Sequence, residues 1–140
     1  MSMDVRSLEA VVRRMIQLYS DGTPEEYGSD RFLELFADDA VIYLPPAPGF
    51  AAQRGGKEAF RAASAKGSAL FRNRKTRIHE IVVQGERVVA RNTWTATLVV
   101  DAIGMQAGTV VRFDYVDFCT VRDGLIVEYT NVGSAMVPAQ

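Results

Sequence analysis

Apolar and polar positions alternate in two rhythms along this chain, and the rhythm changes near residue 75. Before that point the apolar residues recur at three- and four-residue spacing. Val5, Leu8, Val12, Met15 and Tyr19 form one stripe, with Arg6, Glu9, Arg13 and Arg14 between them, which predicts an amphipathic helix over residues 4–20. Asp21-Gly22-Thr23-Pro24 ends it, because glycine terminates a helix and proline bars its restart. Asp30 is placed to cap a second short helix in which Phe32, Leu35 and Phe36 face inward. Val41–Leu44 predicts a short strand, stopped at Pro45-Pro46-Ala47-Pro48-Gly49 because proline lacks the ladder donor. A third helix is expected from about Gly56 to Lys66.

From residue 75 the spacing becomes alternate. Two strands meet at Gln84-Gly85-Glu86, a turn at Ile103-Gly104-Met105 leads to a third strand, and Arg122-Asp123-Gly124 leads to a fourth, "LIVEYTNV". Asp-Gly between apolar runs is a strong hairpin signal. Helices first and an antiparallel meander afterwards predict an α+β domain, with the helices packed on one face of the sheet. The expected shape is a cone: a strongly curved, mostly antiparallel sheet, its concave face covered by the N-terminal helices and enclosing a pocket. Residues 1–140 read as one domain, without repeats or low-complexity segments.

The third strand, "VVRFDYVDFCTV", carries two aspartates three residues apart, and these must point to opposite faces. Asp114 shares its face with Arg112, Val116, Phe118 and Thr120, which water can reach. Asp117 shares its face with Val111, Phe113, Tyr115, Cys119 and Val121, which is apolar. Burying a carboxylate costs several kcal/mol unless it is paired, hydrogen-bonded or protonated. Asp117 is therefore the leading candidate for a proton-transfer group, against a structural carboxylate held by a backbone amide or an arginine. On the preceding strand Ala90, Asn92, Trp94, Ala96 and Leu98 form the better core face, which turns Asn92 and Trp94 toward the same interior.

Charge and composition narrow the class. Apolar residues make up 48% and the formal net charge is -1, which argues against a protein built to grip nucleic acid or an anionic membrane. The N-terminus has no apolar signal core, and no apolar run approaches the ~20 residues of a membrane span. Cys119 is the one cysteine, so an intrachain disulfide is excluded, and a cytoplasmic location is expected. His79 is the one histidine, so a multi-histidine metal site is excluded and no cofactor is expected. Asp38-Asp39 reads as a helix end and turn rather than a metal pair. "RNRKTR", residues 72–77, reads as a solvated loop, and "RGGKEAF" lacks the spacing of a phosphate loop.

"FLELFADDAVIYLPPAPGF", followed by "GGKEAF" and a meander ending "VRDGLIVEY", resembles the SnoaL-like branch of the nuclear-transport-factor-two-like superfamily over nearly the whole chain. The resemblance implies the α+β cone with a pocket and a homodimer packed through the sheet. It implies activities that range from polyketide cyclases and ketosteroid isomerases to limonene-epoxide hydrolases and dehydratases. In the isomerase pattern, Leu44 stands where the base aspartate would be and Met15 where the oxyanion-hole tyrosine would be. Asp117, in "YVDF", matches the aspartate that an apolar site keeps protonated as a hydrogen-bond donor. In the epoxide-hydrolase pattern, Ile42 and Leu44 replace the water-holding tyrosine and asparagine. Arg91-Asn92-Thr93 lacks that pattern's aspartate, and Asn131 replaces the last-strand acid.

The reading that follows is a small-molecule-binding protein whose partner is a hydrophobic carbonyl compound. Asp117 would carry isomerisation, cyclisation or dehydration, and Trp94, Tyr115, Leu44, Tyr19, Asn92 and Asn131 would line the ligand site. The alternative is a non-catalytic module whose cone holds an apolar ligand or a partner's segment.

Overall fold

A computed structural model describes residues 5–21, 30–46 and 51–139. Helix α1 (Val5–Ile16) buries Leu8, Val12, Met15 and Ile16. Its expected stripe loses Val5, which is exposed at the helix start. The last turn widens into a π-helical segment, Gln17–Asp21, and inserting one extra residue per turn brings both Leu18 and Tyr19 against the core. The breaker Gly22-Thr23-Pro24 and the loop residues Ala47, Pro48 and Gly49 lie outside the described residues.

The second helix is a short 3-10 segment, Arg31–Leu35, that buries Phe32 and also Leu33; Leu35 packs half-buried against the same core, and Phe36 follows it buried. Asp30 makes no side-chain cap; its carboxylate accepts a hydrogen bond from Arg61 Nε at 2.7 Å instead. Strand β1 (Phe36–Leu44) is more than twice the expected length and starts five residues earlier. Asp38 and Asp39 lie within it at exposed positions, where a register shift between Phe36 and Val41 absorbs them, so they form no turn. Strand β2 (Gln53–Gly55) precedes helix α2 (Lys57–Leu70), which starts one residue later and ends four residues later than expected and buries only Phe60.

Strand β3 (Phe71–Gln84) begins four residues before the change in rhythm, so "RNRKTR" is a strand and not a loop. Its backbone is held by β4 (Arg87–Leu98), and Arg72, Lys75 and Arg77 project on the solvent face opposite Thr97, Thr95 and Thr93. Cations of this kind are how edge strands avoid pairing with other chains. Strands β5 (Val110–Arg122) and β6 (Leu125–Gly133) complete the meander, and β7 (Val137–Pro138) adds to β5. The hairpin turns match their sequence signals: Gly85, Asp123 and Gly124 all have positive φ.

The sheet runs β2-β1-β6-β5-β4-β3, antiparallel throughout except where β1 lies parallel to β6. This is the expected α+β cone wall, and its helices cover the concave face. Five aromatic rings fill the space between helices and sheet. Phe60 is the hub, with ring centres 5.1 Å from Tyr19, 5.1 Å from Phe32, 5.6 Å from Phe36 and 5.4 Å from Tyr129. A second apolar cluster at the other end of the face holds Phe71, Ala96, Leu98 and Val111. Between the two, Phe113 stacks on Tyr115 with centres 5.4 Å apart and lies over Gly133, where any Cβ would stand 2.0 Å from the ring.

Candidate functional site

The β5 register decides the site. Asp117 lies opposite Ala90 on β4 and opposite Asn131 on β6, while Asn92 lies opposite Tyr115 and Tyr129 opposite Cys119. Directly paired residues share a face, so Asp117 sits among inward residues of three strands and is only 1% exposed. Ala90 opposite it is small, which leaves the carboxyl to its polar neighbours.

Three side chains donate to that carboxyl. Tyr129 Oη gives Oδ1 a 2.6 Å bond, Asn131 Nδ2 gives Oδ1 a 3.0 Å bond, and Asn92 Nδ2 gives Oδ2 a 3.3 Å bond. All three favour the anion, but burial outweighs them: desolvation pushes the Asp117 carboxyl up from 3.8 to about 6. The neutral acid also has a partner at hand. Asn92 Oδ1 is buried without a hydrogen-bond partner, so half a turn of that amide would let it accept from a protonated Oδ2. Both protonation states can therefore be satisfied in place.

The neighbouring phenols stay protonated. Burial raises Tyr129 well above its usual value, and Asp117, Tyr19 and Tyr115 raise it further. Tyr19 is pushed up to about 12, first by desolvation and then by Asp117, with Arg74 opposing. Tyr19 as a whole is half-buried, so its hydroxyl end is the inward one. Cys119 is moved up by burial and by Asp117, which removes its thiolate and any use as a nucleophile. Among the described residues no group of three His, Cys, Asp or Glu is placed to hold a metal ion.

Of the residues singled out from the sequence, Asp117, Asn92 and Asn131 share hydrogen bonds. Tyr19, on the helix side, feels the charge of Asp117, and Tyr115 is buried on the same face of β5. Trp94 belongs to the second cluster, meeting Phe71 edge-on at 4.9 Å. Leu44 lines a small groove with Ile42, Gln53 and Phe60 at the far end of β1. Tyr129 was not singled out, although it makes the shortest bond to Asp117. Its signal was available: in "EYTN" it shares strand parity with Asn131.

Asp114 behaves in the opposite way to its neighbour. It is exposed, accepts from Thr93 Oγ1 at 2.6 Å and from Arg112, and these hold its carboxyl below the usual range. One strand thus carries a carboxyl held low outside and a carboxyl pushed up inside.

The sequence model of the SnoaL-like domain family matches residues 12–129. No curated protein matches the chain by sequence. Among solved structures, AclR of Streptomyces galilaeus, a candidate hydroxylase, superposes with a TM-score of 0.75 at 19% identity, covering 94% of this chain and 81% of its own. IdmH of Streptomyces antibioticus, a candidate polyketide cyclase, gives a TM-score of 0.74 at 24% identity, covering 90% and 91%. An LEH-like epoxide hydrolase of M. tuberculosis gives 0.63 at 16%, covering 92% and 84%. At these identities the likeness is one of fold.

Proposed function

This chain belongs to the SnoaL-like domain family, and from that premise we propose that it binds a hydrophobic carbonyl compound and transfers protons on it with Asp117, without a cofactor. The observation that carries the reading is a carboxyl 1% exposed and ringed by three donors, which burial pushes up to about 6. A general acid/base works best when its pKa lies near the working pH. At neutral pH Asp117 is mostly ionised and would take a proton from the carbon next to the carbonyl. The carboxylic acid so formed would return it to another carbon in isomerisation or cyclisation, or to a departing hydroxyl in dehydration. Asn131 and Tyr129 both hold Oδ1, while Oδ2 has only the longer 3.3 Å bond from Asn92, so Oδ2 is the oxygen that would exchange the proton. Tyr19, on the π-helical turn, would stand at the rim through which a ligand reaches it. Tyr115, Asn92, Trp94 and Leu44 would shape the volume beyond. The cyclase and hydrolase relatives support small-molecule chemistry on this fold.

One observation favours the second reading, a non-catalytic binding module. The aromatic hub packs densely between helices and sheet, and each carboxyl oxygen already has a donor. Carbon-13 NMR titration of the Asp117 carboxyl, assigned with Asp117→Asn, separates the two. A titration midpoint near 6 is expected. A midpoint at or below the ~3.9 of a free aspartate would remove the acid/base role and leave the binding module.

The proposed homodimer uses the apolar half of the sheet's outer face, where Val82, Val89 and Phe118 form a cross-strand row beside Val116 and Val132. Val82, Phe118 and Val132 are each more than two-fifths exposed, which is costly for a lone molecule to leave in water. Sedimentation velocity at micromolar concentration should show a dimer; a monomer throughout would refute it.

A further inference from the structure

Among the described residues, the inward positions of β3 to β6 carry two charged side chains, Asp117 and Arg74. Proton transfer occupies the first and leaves the second without a task. Arg74 reaches the inside through a bulge. The ladder between β3 and β4 shifts between Arg72, opposite Thr97, and Lys75, opposite Thr95. Asn73, in that gap, takes a left-handed φ of 53°, a conformation that asparagine tolerates better than most residues. Bulges of this kind re-aim a side chain. Arg72 and Lys75 keep the solvent face. Arg74 turns to the helices, where its Nη1 donates to Ser68 Oγ of α2 at 3.4 Å and its Nε is buried.

Arg74 and Asp117 stand toward opposite ends of a strip on the concave face. Asp117 lies opposite Ala90, and the bulge lies opposite Ala96, six residues further along β4. At about 3.3 Å per residue that is on the order of 20 Å of strand, shortened by the reach of a long arginine. Between them β4 presents Asn92 and Trp94, and β5 presents Tyr115 and Phe113, whose rings stack with centres 5.4 Å apart. Trp94 and Phe113 are half-buried, as is Arg74. On the helix side Tyr19, in the π-helical segment that packs on β3, feels both charges: Asp117 raises its phenol and Arg74 opposes. The Asp117 carboxyl itself is shifted by burial and by its three donors. Arg74 is therefore set along the strip from the acid, and not as its counter-ion.

We propose that Arg74 holds an anionic group of the substrate, which makes the substrate an elongated, flat keto acid, with its carbonyl at the Asp117 end of the strip and its carboxylate at the Arg74 end. The inference rests on the proton-transfer reading of Asp117 for the place of the reacting carbonyl. A guanidinium presents five donors in a planar fork, and the fork fits a carboxylate with two parallel bonds. The aromatic strip suits an unsaturated body over that length. Orientation follows from charge: ionised Asp117 repels a carboxylate, and Arg74 attracts it.

The test titrates the full, isotope-labelled chain with 6-acetyl-2-naphthoate, which carries a ketone and a carboxylate at opposite ends of a flat body. Its methyl ester is the uncharged control. Backbone amide and arginine side-chain signals report binding, and exchange of the acetyl protons in deuterated water is followed on the same samples. The acid should bind about tenfold more tightly than the ester, with saturable shifts at Arg74 Nε and at Trp94. Arg74→Gln should weaken the acid about tenfold and leave the ester unchanged. Arg74→Lys, which keeps the charge and loses the fork, should fall between. The amide spectrum verifies that the variants fold, and the comparison of acid with ester in the wild type needs no variant. No saturable binding of the acid, equal binding of acid and ester, or an acid affinity that a folded Arg74→Gln leaves unchanged would overturn the proposal. Tight binding of the acid with no more acetyl-proton exchange than Asp117→Asn gives would support Arg74 and count against Asp117 as the acid/base.

Discussion

Asp117→Asn should abolish the proposed activity and at the same time make the protein more stable near pH 8. Removing a general acid/base costs on the order of 10²- to 10⁴-fold in rate. The stability gain follows from the direction of the pKa shift. The folded protein holds the Asp117 proton up to about pH 6, whereas the unfolded chain releases it near 3.8. Stability from this residue is intact below the unfolded value and is lost as pH rises through the folded one. The loss amounts to about 3 kcal/mol above pH 6. Asparagine never ionises, so it escapes that loss. Its oxygen can keep the Tyr129 and Asn131 bonds, and its amide can donate to Asn92 Oδ1, which now lacks a donor. Urea denaturation of wild type and variant near pH 4.5 and pH 8 measures this. The expected result is a variant less dependent on pH and more stable at the alkaline end by about 2 to 3 kcal/mol. If the variant instead loses stability near pH 8, Asp117 is a satisfied structural anion and the desolvation account is wrong.

Tyr129→Phe should move the acid/base in the other direction. The Tyr129 hydroxyl, 2.6 Å from Oδ1, is the largest of the three bonds that pull the Asp117 pKa down against burial. Phenylalanine keeps the ring, and with it the stacking on Phe60 and the edge contact with Phe36. A hydrogen bond to a charged acceptor contributes roughly 1.5–3 kcal/mol, so its loss should raise the Asp117 pKa by about one to two units. The carboxyl titration would move above 7, and the acid limb of a kcat/KM profile would move with it. Because the folded pKa rises further, the variant should be destabilised more near pH 8 than near pH 4.5. An equal loss of stability at both pH values would mean that the hydroxyl serves the fold and leaves the titration of Asp117 untouched.

How far the sequence could be read depended on the range of the interaction. The Asp-Gly turn at Asp123-Gly124 and the alternation of β5 are local, and both were legible. Strand parity alone placed Asp117 and Asn92 inward, while Asn131 entered through the family resemblance. The reading failed where a tertiary partner overrode local preference. Asp38 and Asp39 favour a turn in isolation, yet β1 carries them because it pairs with β6. "RNRKTR" is polar enough for a loop, yet the threonines of β4 supply the ladder that makes it a strand. Asp30 had a better partner than its own helix, Arg61, thirty-one residues away.

By itself the sequence determined the α+β class, the order of helices before meander, the two faces of β5, and the single carboxylate on the apolar one. These follow from side-chain period and turn chemistry, which act between near neighbours. Only the tertiary structure decided which groups surround that carboxylate. Tyr129 and Asn131 reach Asp117 across a hairpin and Asn92 from the strand on its other side, while the helices seal the cage that desolvates it. A pKa is a property of that whole environment, because burial and every donor act on it at once. Asp114 and Asp117, three residues apart in one strand, are driven in opposite directions for this reason.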